Sequence, residues 1–375
     1  MCGKPVIIDV GRGAPGQPSG PPGWNALNNR PTADFQRGAK VPGTISFVNL
    51  ICRFGDRFVL LDLANEIVLP AFVDSKLSRK YGDTTYIFRG VDLIQIPGVE
   101  EARVALLVVY GRLIKDTLLT REQIYTPEGG LERKPESLPS APSSFFALIL
   151  NNHKLMYVPE TAQAPSLGAF QATLQYFLGI KYRGYINARF QELKSGPEPT
   201  SKKQLYHEIP HPVVEVVPLA SKESIQEFLR TFEKLKRLEF RILPTNQEWQ
   251  MGSTFEAIRK MRQSLDARDT KLVHQNPAGL DKQMAAEQIN EAAATGNSEV
   301  DLAGTTPQGD RVKGNNRDFS LQVPAAGLPE KDADRAVRLV NLYNDYFERG
   351  IISEDVAGDT DDKIRRVRRP GRDGA

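Results

Sequence analysis

A chain of 375 residues, 40% hydrophobic and 25% charged, has the composition of an ordinary globular protein and enough apolar material for two cores. A net charge of +3 is too small to imply a nucleic-acid partner by itself. No apolar run approaches the roughly eighteen residues of a membrane span. The first residues lack the basic region and apolar core of a secretory signal, and two cysteines, Cys2 and Cys52, make neither a disulfide framework nor a Cys-based zinc site. A cytoplasmic protein without a cofactor is expected.

Residues 1–40 are rich in Gly, Pro and Asn and predict a disordered arm. The stretch 11–23 resembles a phosphate-binding loop only superficially. It has no Gly-Lys-Ser/Thr ending, and its prolines remove the amides a phosphate cradle needs. Residues 45–54 and 58–64 read as strands joined by a Gly55-Asp56 turn, and 66–80 as a short helix interrupted at Pro70. Strands follow at 84–96 and 103–116, then a Pro/Ser/Gly/Glu loop at 126–144. A hairpin is expected over 144–161, turning at Asn151-Asn152-His153-Lys154. Ser166 opens a helix whose apolar face carries Phe170, Leu174, Phe177 and Leu178.

Residues 181–205 are basic and aromatic, and Gly-Pro-Glu-Pro at 196–199 marks a domain boundary. The β-branched run 213–217 reads as a strand, and Ser221 opens a helix with Ile225, Phe228, Leu229 and Phe232 at helical spacing. Leu238, Phe240 and Ile242 then alternate with polar residues as a strand. Strand, helix and strand in so short a span predict a βαβ unit with parallel strands. A helix over 254–267 is expected to turn Phe255, Ile258, Met261 and Leu265 inward and Arg259, Lys260, Arg262 and Arg268 outward. There follow a strand at 271–276, a helix at 281–294 ended by Gly296-Asn297, a strand pair at 298–304 and 318–324 around a Gly/Asn loop, and a helix at 332–349. Residues 351–375 form an acidic and then basic tail, expected to be disordered.

The motifs that could carry chemistry are few. His207-Glu208-Ile209-Pro210-His211 matches the zinc-peptidase pattern by letter, but Pro210 breaks the helix that would put both histidines on one face. His153 and His274 have no partner nucleophile nearby in sequence. Glu215 and Glu239, on the two strands of the βαβ unit, could hold a metal for nuclease work. The basic residues are more informative as a group: Lys181, Arg183, Arg189, Lys202 and Lys203 before the second domain, Lys236 and Arg237 at a helix end, and Arg259, Lys260 and Arg262 on a helix face. Such side chains neutralise phosphates and hold a nucleic-acid backbone without reading its sequence. Solvated helix faces give the same pattern.

The order of elements over 45–350, with the stretches 153–178, 213–248 and 324–349, resembles the RexA-type proteins of phage exclusion systems and their larger bacterial relatives. The resemblance implies a second domain similar to the swivel-like module of the ring-shaped DNA-binding protein RdgC. It implies a homodimer that binds double-stranded DNA regardless of sequence, without catalysis, as a sensor or accessory in anti-phage defence, with a membrane effector encoded nearby. The expected architecture is α+β in two domains: a mostly antiparallel sheet with a helix over 41–200, and an α/β sandwich containing the βαβ unit over 206–350. A metal-dependent nuclease and a protein-interaction scaffold are the alternatives.

Overall fold

The computed structural model describes residues 43–97, 105–194, 200–244, 253–265, 267, 269–293, 296–352 and 360–368. The arm at 1–40, the 196–199 boundary, Arg268 and the end of the tail lie outside them.

The described residues open with β1 (Thr44–Phe54), which is buried on both faces, as apolar residues at both odd and even positions require of a central strand. Strand β2 (Phe58–Val59) is only two residues long. The remainder of the expected strand at 58–64 coils instead into a tight 3-10 turn over 60–63 and a wider π-helical turn over 64–68, because the Asp62 carboxylate accepts from the Val59 amide at 2.8 Å and starts a helix there. Helix α1 (Leu69–Val73) tolerates Pro70 in its first turn, where no amide donor is needed. Strands β3 (Arg79–Tyr81) and β4 (Thr84–Ile96) form a hairpin, and β5 (Leu106–Thr126) runs 21 residues, well past its expected end. The supposed loop at 126–144 is largely strand β6 (Gly130–Ser140), paired with the far half of β5. Strands β7 (Ser143–Ile149) and β8 (Lys154–Pro159) make the expected hairpin, but His153 in its turn is buried at φ 58° rather than exposed.

Helix α2 (Leu167–Lys194) is 28 residues long and absorbs much of the basic stretch. Helix α3 (Lys202–Glu208), β9 (Pro212–Pro218), α4 (Lys222–Arg230) and β10 (Lys234–Ile242) follow. The three elements of the expected βαβ unit therefore exist, but they do not form one. Strand β9 pairs antiparallel with β1, while β10 enters a different sheet. That sheet has the order β11-β10-β12-β13, built from β11 (Lys271–Gln275), β12 (Ser298–Thr305) and β13 (Arg311–Asn315), with helices α5 (Ser253–Ser264) and α6 (Lys282–Ala293) between. The strand expected at 318–324 does not pair with β12. Its end, β14 (Gln322–Pro324), pairs with β1. Helix α7 (Asp332–Glu348) is as expected. In the tail, α8 (Asp361–Arg366) is ordered: Ile364 is buried and Lys363 pairs with Asp62 at 2.6 Å.

The chain is thus a mixed α/β protein with two antiparallel sheets. The described residues beyond position 40 form one compact unit, and β9 and β14 from the C-terminal half complete the larger sheet. That ten-stranded sheet lies between two helical layers. Val48, Leu50, Cys52 and Phe54 face α1 and α2, and Ile45 and Phe47 face α7. On the α2 side, Phe170 sits among Phe72, Phe88, Phe146 and Tyr157 with ring centroids 5.3–6.4 Å apart. Each such side chain contributes about 1.5–3 kcal/mol by leaving water. The four-stranded sheet packs one face, with Leu238, Phe240, Ile242, Val300 and Leu302, onto α4, α5 and α6.

The two sheets meet along one face of β1 and β9. Ile51, Val217 and Leu243 form a small apolar contact. Beside it, buried Asn49 donates to the Gly296 carbonyl at 3.2 Å and to Asn297 Oδ1 at 3.0 Å, and accepts from Lys154 Nζ at 3.3 Å. At the other end, Glu215 meets Arg241 at 3.6 Å.

Candidate nucleic-acid interface

Helix α2 buries Phe170, Leu174, Phe177, Leu178, Tyr182 and Ile186, positions three and four apart, which leaves the opposite stripe in water. Tyr176, Arg183, Asn187 and Lys194 are exposed on one stripe, and Arg189 is exposed on another side of the helix. Helix α3 begins at a capping box. The Gln204 amide donates to Ser201 Oγ at 3.2 Å, and the Ser201 amide donates to Gln204 Oε1 at 2.7 Å. Leu205 anchors α3 to the core, so Lys202, Lys203 and Tyr206 face outward. Lys202 Nζ donates to Asn187 Oδ1 at 2.8 Å and lies 5.2 Å from the Phe190 ring, which binds the two helices into one surface. Tyr206 stands 6.1 Å from Tyr182, whose hydroxyl donates to the Ile209 carbonyl at 2.6 Å. Burial pushes the Tyr182 phenol up to about 12, so it is a fixed donor.

Three of the expected basic residues, Arg183, Lys202 and Lys203, therefore lie exposed where α2 meets α3, with Lys194 on the same stripe of α2, whereas Arg189 is exposed roughly 120° around α2 from Arg183. Arg189 is partly offset by Glu192 at 3.1 Å. Lys181 is not free for a ligand, because it pairs with Asp74 at 2.5 Å and holds that carboxyl below its usual range.

The remaining candidates are dispersed. Lys236 and Arg237 lie on β10, not at the expected helix end, and Arg237 pairs with Glu239 at 2.5 Å. Helix α5 is rotated from its expected setting: Met261 and Leu265 are exposed, and Arg262 is buried at 7% exposure. Lys260 is exposed and Arg259 half-buried. Arg262 interacts electrostatically with Arg53 and Glu215, and its Nε is buried with no hydrogen-bond partner. Glu215 alternates in β9 with Val214 and Val216, which face α2, so Arg262 lies on the side of the sheet away from the α2–α3 face.

The carboxylates of the nuclease alternative do not converge on a metal site. They stand in different sheets, and each already has cations: Glu215 has Arg241, and Glu239 has Arg237 and Lys271 at 2.8 Å. Burial raises the Glu215 carboxyl, whereas Lys271 and then Arg237 hold Glu239 down. His207 ends inside α3 and His211 follows the helix break, its ring 5.1 Å from Tyr182. Among the described residues no three His, Cys, Asp or Glu side chains gather as a metal site, and no helix is long and apolar enough to cross a membrane.

No protein-family model matches this chain, and neither does any curated protein.

Two surfaces are not apparent from the sequence. Tyr176 on α2 and Tyr206 on α3 are exposed, and their hydroxyls can hydrogen-bond phosphates. Tyr206 lies beside the zinc-like letters of 207–211, and the sign that it belongs to a helix is the Ser201–Gln204 capping box. A groove of about 510 Å³ between α4 and α6 is lined by Lys222, Arg230, Lys282, Gln226, Gln283 and Asn290, with Glu287 as its acid. Its cations come from three separate turns and give no local signal.

Proposed function

We propose that this chain is a non-catalytic, sequence-independent binder of double-stranded DNA, serving as a cytoplasmic sensor or accessory in anti-phage defence of the RexA type. The observation that supports this most directly is the α2–α3 face, which exposes Arg183, Lys194, Lys202 and Lys203 together with Tyr176 and Tyr206. Cations there neutralise phosphates and release counterions, and the tyrosines add contacts that no particular base dictates. Neutralised Glu215 and Glu239 weigh against the nuclease. The resemblance supplies the other partners, a second copy of the chain and a membrane effector.

The test is a titration of the full chain against unrelated linear duplexes at two salt concentrations, with and without magnesium. Arg183→Glu/Lys202→Glu/Lys203→Glu should weaken binding to every duplex alike. It should also lower the slope of log affinity against log salt by about 2.7, which is about 0.9 for each phosphate no longer neutralised. Reversing Arg259, Lys260 and Arg262 is a poorer probe, since Arg262 is buried. Unchanged affinity in the folded α2–α3 variant removes this face from the reading. Magnesium-dependent cleavage would replace it with the nuclease.

A further inference from the structure

Past the edge of the ten-stranded sheet, β5 and β6 continue as a two-stranded ribbon. From Thr117 to Thr126, β5 pairs only with β6, in the register Thr117↔Ser140 to Thr126↔Gly130. At about 3.3 Å per residue the ribbon reaches roughly 30 Å. An isolated hairpin is marginal in water, and this one exposes Leu118, Leu119, Leu138, Leu131 at 69% and Tyr125 at 75%.

Its charge argues against nucleic acid: residues 117–140 hold four glutamates against three cations. Its free edge argues against strand addition, since Pro135 and Pro139 in β6 remove amide donors. What remains is the face. Strand β5 carries Leu119, Arg121, Gln123 and Tyr125 on one side, opposite Leu138, Glu136, Arg133 and Leu131, with an extra residue of β6 bulged at 134–135. Arg121 and Glu136 are ion-paired across the strands. The face thus reads apolar pair, charged and polar middle, apolar pair.

We propose that this ribbon is a self-association arm whose occupant is the same ribbon of a second copy. A two-fold axis across the middle of the face is the operation its pattern fits. It lays Leu119 and Leu138 of one copy on Tyr125 and Leu131 of the other. It also brings Glu136 of each copy over Arg133 of its mate, forming two symmetric ion pairs. The inference rests on the reading above only for there being a second copy, and it uses none of the DNA-facing residues.

The experiment is sedimentation velocity on the full chain at concentrations up to roughly 100 µM, beside three variants. Leu119→Ser/Tyr125→Ser/Leu131→Ser/Leu138→Ser should weaken the dimer by at least about tenfold with the main unfolding transition unchanged, because these side chains lie outside both cores. Glu136→Arg should do the same by facing Arg133, and Glu136→Arg/Arg133→Glu should restore the dimer. A monomeric wild type overturns the inference whatever its DNA affinity, as does a dimer insensitive to the serine variant and to Glu136→Arg. A wild type that dimerises through the ribbon yet ignores DNA supports the arm and overturns the proposed function alone.

Discussion

Gly296→Ala should be among the most damaging one-carbon changes in this protein. Gly296 sits at φ 74°, in the turn that joins α6 to β12 against β1. A Cβ there would lie 2.6 Å from Asn49 Cβ, 2.9 Å from Leu219 Cδ2 and 3.3 Å from the Val217 carbonyl. The left-handed backbone alone costs an alanine about 1 kcal/mol. Overpacking adds about 1–3 kcal/mol, and pushing Asn49 off the Gly296 carbonyl and Asn297 adds about 1–3 kcal/mol for buried groups left unpaired. The sum, about 3–7 kcal/mol, is a large part of a typical stability of about 5–15 kcal/mol. Urea unfolding of the full chain measures it, with Gly309→Ala as the control. Gly309 is also left-handed, at φ 89°, but has open space around it, so it should lose only the backbone share. If both variants shift the midpoint equally, the steric argument and the tightness of this joint are refuted.

Three further outcomes follow from buried groups. Arg262→Met should be neutral or stabilise the fold by up to a few kcal/mol, since burying a guanidinium whose Nε has no hydrogen-bond partner costs more than packing an apolar chain of similar length, and Glu215 keeps Arg241; a clear fall in melting temperature would show that Glu215 needs Arg262 as well. Because burial lifts the Glu215 carboxyl above its unfolded value, the folded chain holds a proton that the unfolded chain has released. Stability should therefore decline as pH rises from the ordinary glutamate range, about 4.3, through the raised folded value, and then level off; urea midpoints in Glu215→Gln should lack this decline, and parallel profiles would sink the idea. Burial pushes the Cys52 thiol up to about 12, so in a Cys2→Ser background a thiol reagent at neutral pH should label Cys52 no faster than the chain unfolds. Rapid labelling of the native protein would contradict its burial.

Much of this fold is written locally. Helix α7 lies where helical spacing puts it, because it is half-buried and shows one clean apolar face, and β4 keeps its expected bounds although a bulge between Arg89 and Asp92 shifts its buried face from Phe88 to Leu93. The partners of β9 and β10 are not legible in the same way. A strand, a helix and a strand imply parallel pairing only when both strands share a sheet, and β9 is claimed by β1 through contacts far away in sequence. Helix α5 misleads because Met261 and Leu265 compete with the stripe that is buried, and no local rule says that an arginine goes inward. The ribbon is hidden by its prolines and glycines, which read as loop although they occupy an unshared edge. As for the basic face, Arg183, Arg189, Lys202 and Lys203 are visible as composition. That α2 and α3 gather Arg183, Lys202 and Lys203 while Arg189 turns aside and Lys181 and Arg262 are diverted depends on helix phase and on where Asp74 and Glu215 stand in space.

The placement of β1 also bears on how the protein is born. One edge of this strand is completed end to end by two late arrivals, with Thr44 beside Pro324 and Phe54 beside Pro212. A nascent chain makes β1 well before either partner, so Val48–Phe54 stay open on that edge until Pro212–Pro218 emerges, and Thr44–Ser46 until Gln322–Pro324 emerges. Contacts so distant are slow to form, and an unpaired apolar strand invites wrong partners in the meantime. Fragments ending near residue 200 should therefore accumulate as aggregates, and the intact protein should depend on chaperones that shield a strand waiting for its neighbours.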